Sequence, residues 1–262
     1  MTETAPKLPA PETPPEPEGE VKASFFEHLT ELRKRLIQSL LGVLVGMCLV
    51  GYWSEDIYRY VMRPVLAALP KGDASLKYTN FIEPFMVYLK VALYGGLFVA
   101  APWVLFQIWQ FIAPGLYKRE KKVVIPFLAF GTLLFYSGAA FCYFLVMPYA
   151  FPALRDIAGP DMTPIIKMEE ALSLVLAMLL GFGVVFEVPV IIAFLSMIGL
   201  VSADFLAKYR RHAIVVNVLL AAIITPTGDP FNLALMAVPM IVFYEVGIIL
   251  ARILGKKKPA AA

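Results

Sequence analysis

Charge is scarce in this chain, and so are the residues that carry most protein chemistry. Asp, Glu, Lys and Arg together make up 16% of 262 residues, and histidine and cysteine occur twice each. A soluble domain carries roughly 25% charged residues. The deficit here is filled by 60% hydrophobic residues and a mean hydropathy of +0.74. Such a surface must face a solvent that tolerates it, and that solvent is a bilayer. The net charge of +3 leaves no broad basic surface, which excludes a nucleic-acid binder. Cys48 and Cys142 lie in apolar runs and supply neither a disulfide framework nor a metal site.

The same scarcity argues against an enzyme. His28 lies in an amphipathic stretch and His212 beside Arg210 and Arg211, so neither can ligate haem or zinc at membrane depth. No H-E-x-x-H occurs, and no nucleotide-binding loop. Ser137 and Ser173 sit in apolar runs without a base, as small packing residues do. No catalytic set, metal or cofactor is expected.

What is present is a succession of long apolar segments. Residues 1–22 are rich in Pro and Glu and bury nothing, so they are expected to form a disordered tail, with no secretory leader. Ser24 and Glu27 have capping-box spacing and predict a helix start. Phe25, Leu29, Leu32 and Leu36 then form one apolar face, suited to a helix lying in the membrane surface. A span needs about 20 apolar residues. Candidates run over residues 36–53, 85–111, 123–149, 169–200, 212–225 and 231–253. The fifth offers about 14 residues, or about 21 Å of helix, short of a hydrocarbon core of about 30 Å. Between the first two spans, residues 54–84 predict a structured extramembrane cap that Pro64 breaks or bends. The connection over residues 151–168, carrying Pro152, Pro160 and Pro164, is not expected to be helical throughout.

Lys and Arg decide the orientation, because cytoplasmic loops retain them. Of the 23, sixteen fall on the side holding the N-terminal region, the loop around Lys118 to Lys122, the loop around Lys208 to Arg211 and the C-terminal tail. Six fall on the other side, with Lys90 near a span end. Both termini are therefore expected in the cytoplasm, with residues 23–254 as a six-span membrane domain and residues 255–262 as a basic tail.

Three acidic residues stand out. Glu187 lies mid-way along the fourth span, where a charge is costly and an ionisable residue marks a functional candidate. It is expected to face protein or a wet cavity, and its alternative role is to hydrogen-bond a neighbouring helix or a carbonyl freed by Pro189. Glu31 and Glu120 lie on the cytoplasmic side, where surface charges usually only solvate a helix and Glu31 can pair weakly with Arg35. Two acids on a basic face can also form a recessed site for paired guanidinium groups.

Four runs, in this order and spacing, resemble the TatC family of twin-arginine translocase subunits: His28-Leu29-Thr30-Glu31-Leu32-Arg33-Lys34-Arg35, residues Phe111 to Glu120, Phe186-Glu187-Val188-Pro189, and the turn Thr225 to Pro230. The resemblance implies an all-α polytopic membrane protein, with six transmembrane helices forming a concave cup and the last two short. It implies that Glu31 and Glu120 receive the paired arginines of a signal peptide, with Arg33 and Phe111 contributing, and that Glu187 and Pro64 are functionally sensitive. It implies TatA and TatB single-span partners, self-association, the proton-motive force as energy source and a bacterial inner membrane. Some relatives carry Gln at the start of the last span, where this chain has Asn232 and Leu233. A small-solute transporter built on Glu187 would instead predict two related halves with matching broken helices. No such pairing is visible in the sequence.

Overall fold

A computed structural model of the chain describes residues 18–69, 76–112, 121–158, 165–224 and 230–255. Among these residues the regular structure is helical, apart from one isolated parallel bridge between Lys77 and Lys167. Helix α1 (Glu18–Gly51) is unbroken. It starts upstream of Ser24 and runs straight through Leu36, so the surface helix and first span predicted as separate pieces are one element. No proline or glycine occurs between Val21 and Leu41 to interrupt it. The helix also takes in Glu18 to Lys22, the end of the segment expected to be a tail. The rest of that tail lies outside the described residues.

The cap consists of α2 (Ser54–Val61) and α3 (Arg63–Ala68), and the bend between them falls at Met62, just ahead of Pro64. Pro64 has no N–H for the Tyr60 carbonyl, its helical acceptor. That carbonyl accepts a backbone N–H at the α2 cap and also the Tyr143 hydroxyl, at 2.6 Å, and the two tyrosine rings stack with centroids 5.1 Å apart. The Arg63 guanidinium lies over the Tyr60 ring. Met62, at the bend, is completely buried.

Helix α4 (Glu83–Ile112) is followed by α5 (Lys121–Phe141), a π-helical segment (Cys142–Val146) and α6 (Met147–Ala158). These last three form one continuous run. The widened turn lies just ahead of Pro148, which can donate nothing to the Phe144 carbonyl. Helix α6 continues through Pro152 to Ala158, so the third helical run is longer than expected and the following connection shorter. Arg155 of α6 donates to the Ala68 carbonyl at 3.1 Å and joins this run to the cap.

Helix α7 (Met168–Met197) is the most enclosed of the long helices and ends at Gly199, whose φ of 83° an L side chain would resist. Then come α8 (Ala203–Lys208), α9 (Arg210–Ile224) and α10 (Pro230–Leu254). Among the described residues, five stretches are long and apolar enough to cross a membrane, in α1, α4, the α5–α6 run, α7 and α10. Helix α9, at 15 residues or about 22 Å, is shorter than a hydrocarbon core. The shortness expected of both last helices is confined to α9, because α10 has 25 residues. An ion pair of 2.9 Å between Arg210 and Glu245 joins α9 to α10.

These helices form an open row. Helix α1 packs substantially on α4 alone, α4 on α5 and α7, α5 on α7, α7 on α10, and α10 on α9. At the α1–α4 crossing, a Cβ on Gly46 would run into the Gly96 carbonyl, so the two backbones approach as only small residues allow. Cys142 is buried, whereas Cys48 lies exposed on the outer face of α1.

Candidate functional site

Glu31 lies on α1 opposite the last turns of α4. Its Oε1 stands 3.4 Å from Nη2 of Arg35, one turn further along the helix, and both side chains keep partial access to solvent. The guanidinium is held from the other side: Nη1 of Arg35 donates to Oε1 of Gln107 at 3.2 Å and to Oε1 of Gln110. Gln107 is only 2% exposed, so packing fixes its amide. Nε of Arg35 and Oε1 of Gln38 are buried without hydrogen-bond partners. The Trp103 indole donates to the Gln38 carbonyl at 3.0 Å and keeps α1 in register with α4.

The other expected contributors are near. Phe111 stacks on His28, with ring centroids 4.5 Å apart, which places it one helical turn from Glu31 on the α1 side. Arg33 is exposed on α1. Glu120 lies outside the described residues, as does the loop that carries it. Sequence reasoning missed the two glutamines. Their signal was available, because Gln107 and Gln110 are amide side chains three residues apart in an otherwise apolar span, where polar groups turn inward.

Glu187 is buried in α7, 5% exposed, as expected of a carboxyl in the membrane. It faces α5: a Cβ built on Gly131 would stand 2.9 Å from Oε2 and 3.4 Å from Oε1. Oε1 is buried and makes no hydrogen bond. That oxygen therefore serves neither of the hydrogen-bonding roles considered for it, to a neighbouring helix or to a backbone group near Pro189. An unpaired polar atom at depth is costly, of order 1–3 kcal/mol, and a carboxyl left in that state is poised for a partner.

A second polar group joins the far ends of α4 and α7. Nζ of Lys90 lies 2.6 Å from Oε1 of Glu169 and 3.1 Å from Oγ of Ser173. Glu83 is buried and accepts from the backbone and hydroxyl of Thr79 at 2.7 and 3.1 Å. Among the described residues, no cluster of His, Cys, Asp and Glu is arranged to hold a metal.

The row of helices has known counterparts. The family model described as Sec-independent protein translocase protein (TatC) matches residues 27–239. The chain belongs to the TatC family. The TatC of Koribacter versatilis is 44% identical over 227 residues, which is 86% of this chain and 83% of that one. The TatC of Escherichia coli K12 is 39% identical over 228 residues, covering 87% and 88% of the two chains. A crystal structure of a twin-arginine translocase receptor, TatC, superposes with a TM-score of 0.77 at 34% identity, covering 87% of this chain and 99% of that one. This TatC-family chain is thus a multi-pass membrane protein of a protein translocase, not an enzyme.

Proposed function

We propose that the chain is the core receptor of a twin-arginine translocase: Glu31 and Glu120 receive the paired arginines of a signal peptide, with Arg33 and Phe111 beside them. The observation that carries this reading is the state of Glu31. Its carboxylate keeps access to solvent and is only loosely engaged by Arg35, so a second guanidinium can reach it. Carboxylates take guanidinium groups through two parallel hydrogen bonds, a geometry that an ammonium cannot match.

The rest of the reading rests on the sequence and on the family. Both termini lie in the cytoplasm of a bacterial inner membrane, as the distribution of Lys and Arg favours. A membrane domain is flanked by a polar N-terminal tail and a basic C-terminal tail, and α9 crosses despite its length by thinning the bilayer locally. Single-span TatA and TatB subunits and further copies of this chain complete the passage. Glu187, with an unpaired oxygen, is the intramembrane contact point, and Pro64 shapes the extracytoplasmic cap. Energy comes from the proton-motive force, about 2.3 kcal/mol per charge per 100 mV.

The test is binding of a twin-arginine signal peptide to the detergent-solubilised protein and to its Glu31→Ala and Glu120→Ala forms. Affinity falls in both variants if the assignment holds. Unchanged affinity in both discards the site.

A further inference from the structure

We infer that Arg35 is an internal occupant of the Glu31 carboxylate, a guanidinium of the chain itself that any arriving peptide must displace and that Gln107 and Gln110 take up when it is displaced. The inference rests on the assignment of Glu31 as a peptide-receiving carboxylate. It assigns to Arg35 the setting of resting affinity and of the rate of release.

The geometry is that of a contact ready to break. Charge-assisted bonds between guanidinium and carboxylate settle near 2.7–2.9 Å and are commonly two-pronged. Here a single Nη2 reaches a single oxygen at 3.4 Å. The other terminal nitrogen, Nη1, is engaged by the two glutamines, one of them held rigid by burial. Those acceptors are neutral, so they satisfy the guanidinium without competing for its charge as a carboxylate does.

The cluster also has capacity to spare. Nε of Arg35 is a buried donor without an acceptor, and Oε1 of Gln38 is a buried acceptor without a donor. Residues 35 and 38 share one face of α1. When Arg35 withdraws from Glu31, unused hydrogen-bonding groups lie beside it, and the charge is not stranded among apolar side chains. The glutamines determine how strongly the guanidinium is drawn away, and so how much of the carboxylate is left for a ligand.

Every cation that binds Glu31 competes with the same internal guanidinium. The contact therefore lowers the affinity of a two-arginine and a two-lysine peptide by the same factor, and the preference between them comes from the fork geometry. An exposed or half-exposed pair of this kind contributes up to about 1 kcal/mol, so the factor is about two- to fivefold.

The experiment measures equilibrium affinity and dissociation rate of a twin-arginine signal peptide on the full-length detergent-solubilised protein. Arg35→Gln is expected to tighten binding about two- to fivefold and to slow release. The gain is expected to vanish when Glu31→Gln is already present. Gln110→Leu removes one acceptor, turns Arg35 toward Glu31, and is expected to weaken binding by a similar factor. Weaker or unchanged binding with Arg35→Gln, or the same gain in the Glu31→Gln background, overturns the inference. If Arg35→Gln does not fold, Gln110→Leu decides alone, and unchanged or tighter binding overturns it. Glu31→Gln by itself tests the underlying assignment: unchanged affinity there removes Glu31 from the receptor site whatever Arg35 does.

Discussion

Gly131 of α5 faces the carboxyl of Glu187 on α7 so closely that an added Cβ would stand 2.9 Å from Oε2. The glycine leaves the buried carboxyl its room. Gly131→Ala is expected to push the flexible carboxylate off its position and to lower export of a twin-arginine reporter, at little cost to the α5–α7 contact. Glu187→Leu is expected to abolish export, and Glu187→Gln to keep part of it. Export assays in cells with membrane levels quantified check all three. Full activity of the Leu form reduces Glu187 to a packing residue.

Pro64 and Tyr143 act on one backbone carbonyl. Pro64 cannot donate to the Tyr60 carbonyl, which takes a backbone N–H at the α2 cap and the Tyr143 hydroxyl at 2.6 Å. Tyr143→Phe is expected to loosen the cap by about 1 kcal/mol, the net worth of one such bond. Pro64→Ala restores a competing N–H and is expected to release the same tyrosine. The effects of the two substitutions on limited proteolysis of the cap are therefore expected to be less than additive in the double variant.

The α1–α4 crossing depends on two glycines. Gly96→Leu places a large side chain where Gly46 and Met47 bring their backbone against α4. Because α1 has its main packing partner in α4, the helix is expected to detach from the row rather than repack. Loss of a disulfide crosslink between cysteines engineered across this interface, and reduced accumulation in the membrane, are the readouts.

Alkaline titration offers a further check on the cap. Burial, reinforced by the neighbouring Tyr88, pushes the Tyr58 phenol up to about 12. A raised folded-state value means that the stability it contributes is complete below pH 10 and is lost as pH rises from about 10 to about 12. Tyrosinate absorbance is expected to show a late-titrating phase, and Tyr58→Phe is expected to reduce its amplitude.

The membrane class, the helical content and the order of the spans were legible because each rests on runs of apolar residues long enough to leave no alternative. Glu187 was legible for the same reason, as a charge in the wrong solvent. The capping box at Ser24 misled because a local hydrogen-bonding option does not end a helix when the residues ahead of it also favour helix. The connection over residues 151–168 is indeed not helical throughout, but α6 carries the helix past Pro152 to Ala158 before it ends. Gln107 and Gln110 were passed over because nothing in a linear reading joins them to Arg35, more than seventy residues away.

By itself, the amino-acid order determined that this chain lives in a bilayer, roughly where it crosses, and which acids deserve scrutiny. The physical reason is that the transfer of side chains into hydrocarbon is a local property, summed residue by residue. The i,i+4 pairing of Glu31 with Arg35 was open to the sequence, but only the tertiary structure decided that two glutamines of another helix hold that arginine and that an oxygen of Glu187 has no partner opposite Gly131. Those facts depend on how helices distant in sequence pack side by side, which is set by the close approach of small residues and the satisfaction of buried polar groups across the whole row.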